Sequence, residues 1–259
     1  MRAIVTRPDA EAGRWVDDLR ERGVDALALP LVEIAPAPDR QPIRDALQRI
    51  AAFRAVMFVS RNAVQGFLGD PAPTAIERAW PVATRAWAPG LGTAQALRDA
   101  GVPAALVDAP DADSPDFDSE ALWATVHGQP RHGDRFLFVR GSDGQGNGGA
   151  GREWLIDQVV AAGGVVESVI AYVRRRPVWN PAQQELARAA LRDGAVWVFS
   201  SSLAIGNLRD LLPVGAGMPE RAITTHPRIA AAAQAAGIRV VCPARPTVDA
   251  VASALKSLR

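Results

Sequence analysis

At 259 residues the chain is longer than one hydrophobic core usually organises, and a 48% hydrophobic share is enough to fill two cores of roughly 100 to 150 residues each. The 29 basic and 28 acidic residues leave a net charge of +1, which excludes a broad basic field for nucleic acid or a membrane surface and leaves any cationic work to local clusters. Cys242 is the only cysteine, so an intramolecular disulfide and a cysteine-based metal cluster are excluded, and no run of about 18 apolar residues would cross a bilayer. The opening MRAIVTRPDA lacks the apolar core of a signal peptide, so a cytoplasmic location is expected. All the basic residues but Lys256 are arginines. The many alanines point to a GC-rich coding bias, and forked guanidinium groups also suit carboxylate ligands; the two readings are compatible.

In chain order, the apolar run AIVTR predicts a strand, Gly13 to Arg22 a helix, VDALALP a second strand, and LVEIAPAP near residue 34 an extended segment bounded by proline. Strand-to-helix turns follow in FVSRNAVQGFL (58–68) and APGLGTAQALRDAG (88–101). RFLFVRG then opens a strand, GREWLIDQVVAAGG a helix, and VVESVIAYVRRRP an extended strand, before further turns in FSSSLAIGNLRDL (199–211) and TTHPRIAAAAQAAG (224–237). Alternating strands and helices predict parallel α/β architecture. The opening strand–helix–strand–proline series is repeated from VRG to Pro177, the 58–68 turn in 199–211, and the 88–101 turn in 224–237. Three matches in one order indicate a duplication.

Each half therefore holds one proline-bounded extended segment, near residues 34 and 173, and proline there suits an edge or a linker. The simplest arrangement starts each half in one lobe and ends it in the other, with the termini together and the middle inserted. A contiguous split near residue 130 is the competing arrangement.

Ligands of open parallel sheets bind beyond the carboxyl ends of strands, where helix-start amides point outward. Ser60, Arg61 and Asn62 follow one predicted strand, Gly92 and Thr93 a second, Ser200, Ser201 and Ser202 a third, and Thr224 to Arg228, including Thr225 and His226, a fourth. Arg140 and Gly141 end a fifth. Hydroxyls, amides and arginines of this kind receive carboxylates; helix capping asks for the same residue types. As a set on one side of parallel sheets they predict a site for a multiply anionic molecule.

GQGNGG (144–149) fits the dinucleotide fingerprint loosely, but about ten residues separate its strand from the next helix, too many for the tight turn under a pyrophosphate. A flexible loop or lid over 142–150 is the expectation. His127 and His132 lie in the polar HGQPRH with no carboxylate or cysteine set beside them, so no metal is expected. Tyr172, the only tyrosine, lies in the second extended segment, where a hinge would carry its phenol between lobes. A phenol keeps its proton at neutral pH and can donate it; packing on a sheet face is the alternative role.

The ordered set TRP, LPLVEIAP, FVSRNAV, GLGTAQAL, FLFVRG, GREWL, AYVRRRP, FSSS and HPRIA resembles the uroporphyrinogen-III synthase family over nearly the whole chain. The resemblance implies two similar parallel-sheet, flavodoxin-like α/β lobes joined by a two-stranded antiparallel linker. One lobe comprises residues 1–35 with 176–259 and the other residues 38–170, with linker strands near 31–37 and 170–177. It implies cyclisation of hydroxymethylbilane to uroporphyrinogen III with inversion of ring D and loss of water, a step towards haem, sirohaem, cobalamin and chlorophyll. It implies neither metal nor coenzyme, a monomer, and transient contact with hydroxymethylbilane synthase. Tyr172 matches the family's recurrent tyrosine and is the expected proton donor. Arg7, Ser60, Arg61, Asn62, Gly92, Thr93, Arg140, Gly141, Ser200, Ser201, Ser202, Thr225, His226 and Arg228 are the expected substrate contacts. The sequence departs from the family in reading TTHPRIA where many relatives carry a Gly-Pro-Thr-Thr type loop, and in its long glycine-rich loop. The rivals are a nucleotide- or small-anion-binding α/β enzyme that uses the glycine loop as a phosphate cradle, and a two-lobed ligand sensor without turnover.

Overall fold

The computed structural model of the chain describes residues 2–69, 80–111, 114, 118–143 and 150–258. In chain order its elements begin β1 (Arg2–Val5), α1 (Asp9–Glu21), β2 (Asp25–Ala28), β3 (Glu33–Pro36), α2 (Gln41–Gln48), β4 (Ala55–Phe58) and α3 (Arg61–Leu68). They continue β5 (Arg85–Trp87), α4 (Leu91–Asp99), β6 (Val107–Asp108), α5 (Ser119–Val126), β7 (Arg135–Ser142), α6 (Ala150–Ala161) and β8 (Val165–Arg175). The remainder is α7 (Pro181–Arg192), β9 (Val196–Phe199), α8 (Ser202–Leu211), β10 (Arg221–Thr224), α9 (Pro227–Ala235), β11 (Val240–Pro243) and α10 (Val248–Ser257). The chain forms two compact units, Met1–Glu33 with Arg175–Arg259, and Ile34–Arg174.

The first unit holds a sheet in the order β11-β10-β9-β1-β2, with every neighbouring pair parallel. Its central strand Val-Trp-Val-Phe is buried at all four positions, as expected of a parallel strand covered on both faces. Val196 and Val198 join Ala3 and Val5 against the apolar sides of α1 and α10. Trp197 and Phe199, fully buried and stacked with centroids 6.3 Å apart, fill the opposite face. Helix α1 starts at Asp9, four residues before the predicted Gly13. Pro8 occupies the position before it with φ −51°, and Asp9 and Glu11 complement the positive helix start. The chain beyond β2 is tied down by two buried donors: Trp179 Nε1 donates to the carbonyl of Pro30 at 3.2 Å and Asn207 Nδ2 to that of Leu31 at 2.7 Å.

The second unit holds a sheet in the order β3-β8-β7-β4-β5-β6. β8, β7, β4, β5 and β6 pair in parallel, and β3 lies at the edge beside β8. Alternation along β4 sends Val56 and Phe58 to a core under α3 and α4, and Ala55 and Met57 to one shared with Leu122, Val126, Leu155 and Val159. The segments near residues 34 and 173, expected as linkers, are thus neighbouring strands, and Arg175 at the end of β8 pairs with Glu33 at 2.6 Å. No helix among the described residues is long and apolar enough to cross a membrane.

At the start of β8, Glu167 accepts from Arg135 Nε at 3.1 Å and from Arg49 at 2.9 Å. The Arg135 hydrogen bond chiefly, then that of Arg49, holds its carboxyl below the ordinary 4.5 against the opposing effect of partial burial. A lowered carboxyl stabilises the fold fully above its ordinary value, and that contribution disappears as pH falls through the lowered one. Glu167→Gln should therefore cost about 1 kcal/mol or less near pH 7, since both arginines are well exposed. Denaturant titrations at pH 7 and pH 3 test this: the gap between variant and wild type should narrow at the lower pH.

Candidate active site

Both sheets carry their helices so that strand ends, helix starts and the reversal of strand order coincide, the place where open parallel sheets bind ligands. In the second unit the reversal falls between β7 and β4. Ser60 follows β4 and caps α3, its Oγ accepting from the Ala63 amide at 3.2 Å. The same oxygen lies 3.2 Å from the hydroxyl of Tyr172 on β8, where either group can donate. Since Ser60 Oγ already accepts from an amide, its own proton is available to the phenol oxygen.

Tyr172 is only 6% exposed and rests on Gly141: a Cβ added there would lie too close to Cζ of the tyrosine ring to be accommodated without a shift. Arg61, the first residue of α3, is exposed and lays its guanidinium against Gly92 of α4, where an added Cβ would lie 2.7 Å from Nε and Nη2. Asn62 is half-buried in α3, and Thr93 is buried in α4, whose first amides face outward from Gly90 without a side-chain cap. Arg140, half-buried, is 3.4 Å from Glu153 of α6.

In the first unit the reversal falls between β1 and β9. Arg7 follows β1 but turns back onto α1: Nη1 donates to Glu11 at 2.8 Å, the guanidinium lies 4.0 Å from the centre of the Trp15 ring, and Nε is buried without a partner. Ser201 caps α8 through the Leu203 amide at 3.2 Å, Ser200 precedes it, and Ser202 begins the helix. His226 caps α9, Nδ1 accepting from the Arg228 amide at 3.1 Å, while Arg228 itself is exposed. Thr225 is half-buried beside Thr224, whose hydroxyl is buried with no partner.

Several expected contacts thus have local structural duties. Ser60, Ser201 and His226 cap helices, and Gly141 and Gly92 make room for Tyr172 and Arg61. His127 ends α5, its Nδ1 3.0 Å from the Ala124 carbonyl, and no group of three or more potential metal ligands occurs among the described residues. GQGNGG, residues 144–149, lies outside the described residues. Sequence pattern does not single out three participants: Gly66 and Ala171, which pack together, and Arg174, two residues beyond Tyr172, whose Nε is buried without a partner. The arginine run RRRP is the only signal for the last.

Residues 13–253 match the family model for uroporphyrinogen-III synthase HemD. The chain belongs to the uroporphyrinogen-III synthase family. It is 29% identical over 218 residues to a uroporphyrinogen-III synthase of Synechococcus elongatus, covering 83% of this chain and 76% of that one. A uroporphyrinogen-III synthase of Chlorobaculum parvum is 31% identical over 140 residues, 54% of this chain and 52% of its own length. The crystal structure of uroporphyrinogen-III synthetase from Helicobacter pylori aligns over 100% of both chains with a TM-score of 0.59 at 17% identity, a likeness of fold. Members of this family cyclise a tetrapyrrole precursor, which accords with strand-end loops rich in hydroxyls, amides and arginines.

The guanidinium of Arg61 is the far end of a flexible side chain, so Gly92→Ala should fold normally and displace it. Steady-state kinetics on the tetrapyrrole precursor should show KM raised by about ten-fold, the worth of one charge-assisted contact, with kcat little changed.

Proposed function

We propose that this chain converts hydroxymethylbilane to uroporphyrinogen III, closing the macrocycle with inversion of ring D and loss of water, and that Tyr172 is the proton donor. The observation that carries the residue assignment is the 3.2 Å contact between Tyr172 and Ser60 beside the strand ends of the second unit. The hydroxyl of ring A leaves poorly by itself. With a proton from the phenol it departs as water, the electron-rich pyrrole supplying the electrons and becoming a delocalised cation. Ser60, donating to the phenol oxygen, and the start of α3, which favours negative charge, together stabilise the phenolate left behind.

The substituted carbon of ring D then attacks the cation to give a spiro intermediate, which fragments and recloses through the unsubstituted carbon. The proton released as the last pyrrole regains aromaticity balances the one donated, so the net change is loss of water without oxidation or reduction. In water the free carbon closes first and gives the symmetrical type I isomer. The protein's task is to impose geometry, and holding reacting ends together can contribute several kcal/mol. Arg61, Arg140, Arg228 and the amides at the starts of α4, α8 and α9 are the proposed contacts for substrate carboxylates. The reaction is assigned to the cytoplasm and to a monomer that receives its unstable substrate from hydroxymethylbilane synthase.

Purified protein given hydroxymethylbilane without added cofactor should divert product from the type I to the type III isomer, read by chromatography of the oxidised porphyrins. Product that stays type I at high enzyme concentration would overturn the reaction. Tyr172→Phe should keep the fold, because the ring stays on Gly141, and lower kcat by about 100-fold or more. Wild-type turnover by that variant would remove Tyr172 as donor while leaving the reaction in place.

A further inference from the structure

The parallel register of β7 and β8 pairs Arg140 with Ile170 but Gly141 with Tyr172, so Ala171 is an extra, unpaired residue on β8. Such a bulge re-aims the side chains beyond it. Without it, Tyr172 would follow Ile170 onto one face and Val169 would share the other with Ala171. Instead Val169, Ala171 and Tyr172 all join the core under α3 and α4, while Ile170 is 41% exposed.

Two glycines accommodate this displaced stretch. A Cβ on Gly66 of α3 would collide with the carbonyl group of Ala171, so the helix can rest on the bulge only as glycine. The three atoms nearest to a Cβ on Gly141 all belong to the Tyr172 ring. Neither glycine has a positive φ, so chain conformation does not require glycine at either position. Space does, and at both the space is taken by the bulge or by the residue that follows it.

We infer that Gly66, Gly141 and the bulge at Ala171 form a positioning device whose purpose is to hold the Tyr172 hydroxyl against Ser60. The glycines touch no reacting atom; they act through the tyrosine. The inference rests on the reading of Tyr172 as proton donor for its catalytic consequence, but the positional claim can be tested without substrate.

Tyr172 is the only tyrosine, so protein labelled with tyrosine carrying 13C at Cζ gives a single signal from the phenol carbon. In Gly141→Ala and in Gly66→Ala that signal should shift, while the methyl spectrum of the first unit stays in place. Gly92→Ala, which disturbs Arg61 instead, should leave it unmoved. With hydroxymethylbilane, kcat of Gly141→Ala should fall by about 100-fold, the usual cost of a misplaced catalytic group, with KM little changed. In a Tyr172→Phe background the same glycine change should cost nothing further in kcat, because the hydroxyl it positions is already gone.

An unmoved phenol signal in both glycine variants, or losses that multiply in the double variant, would overturn the inference. If Gly141→Ala does not fold, Gly141→Ala with Tyr172→Val should, since the collision is with the ring; failure of that pair also overturns it. Full turnover by Tyr172→Phe would instead remove the donor role and leave the phenol signal to decide the positioning.

Discussion

The covering of the central strands on both faces is the constraint from which the strand-end loops follow. Ala55–Phe58 and Val196–Phe199 are buried at every position, and strands so covered have parallel neighbours. Parallel neighbours require helical crossovers, and each crossover begins at a strand's carboxyl end with a helix whose first amides lack partners. Ser60, Gly90, Ser201 and His226 all stand at that junction. Capping residues and helix-start amides gather at the carboxyl ends of each sheet's strands as a consequence of burial in its middle.

The two sheets obey one order once the chain is read circularly. In the first unit β1 has β2 on one side, and β9, β10 and β11 follow on the other. In the second, β7 takes the place of β1, β8 that of β2, and β4, β5 and β6 those of β9, β10 and β11. Apart from the edge strand β3, each half of the chain thus supplies the first two strands of one sheet and the last three of the other. The repeated turns of the sequence fall at equivalent junctions: Arg7 with Arg140, Ser60 with Ser201, and the starts of α4 and α9 with each other.

Local pattern alone makes these junctions legible, because four apolar residues followed by a small polar residue and a helical period describe a strand end by themselves. Parallel α/β class is legible for the same reason. The start of α1 lies four residues ahead of the predicted one, since the apolar period begins at Ala12 whereas the helix is set by Pro8 and the acidic residues behind it. What pattern does not carry is anything decided through space. The Ser60–Tyr172 contact joins residues 112 apart, the bulge at Ala171 is defined only by its partner strand, and the duties of Gly66 and Gly141 exist only because another segment's atoms occupy the room their side chains would need. Residue type marks Ser60 and Gly141 as site candidates, but not that one contacts the phenol and the other underlies it.

The halves diverge at the point where the second acquires its phenol. Registers place Arg2 opposite Asp25 and Arg135 opposite Val165, which makes Pro30 the counterpart of Ile170 and Pro8 that of Gly141. β2 stops at Ala28, although the amides of Leu29 and Leu31 still donate to the carbonyls of Val5 and Thr6, so Pro30 between them faces the open edge of the sheet. β8, with Ile170 there, runs on through its bulge to Arg175. At the second pair of positions the first unit has a proline ring, and that proline sets the start of α1; the second unit has bare backbone, on which an aromatic ring can lie. A tyrosine grafted at Leu31, set against Pro8 as Tyr172 is set against Gly141, would find no glycine floor. The strand-end loops of the two sheets are therefore alike in layout, while a glycine at the end of β7 leaves room for an aromatic ring where a proline stands after β1.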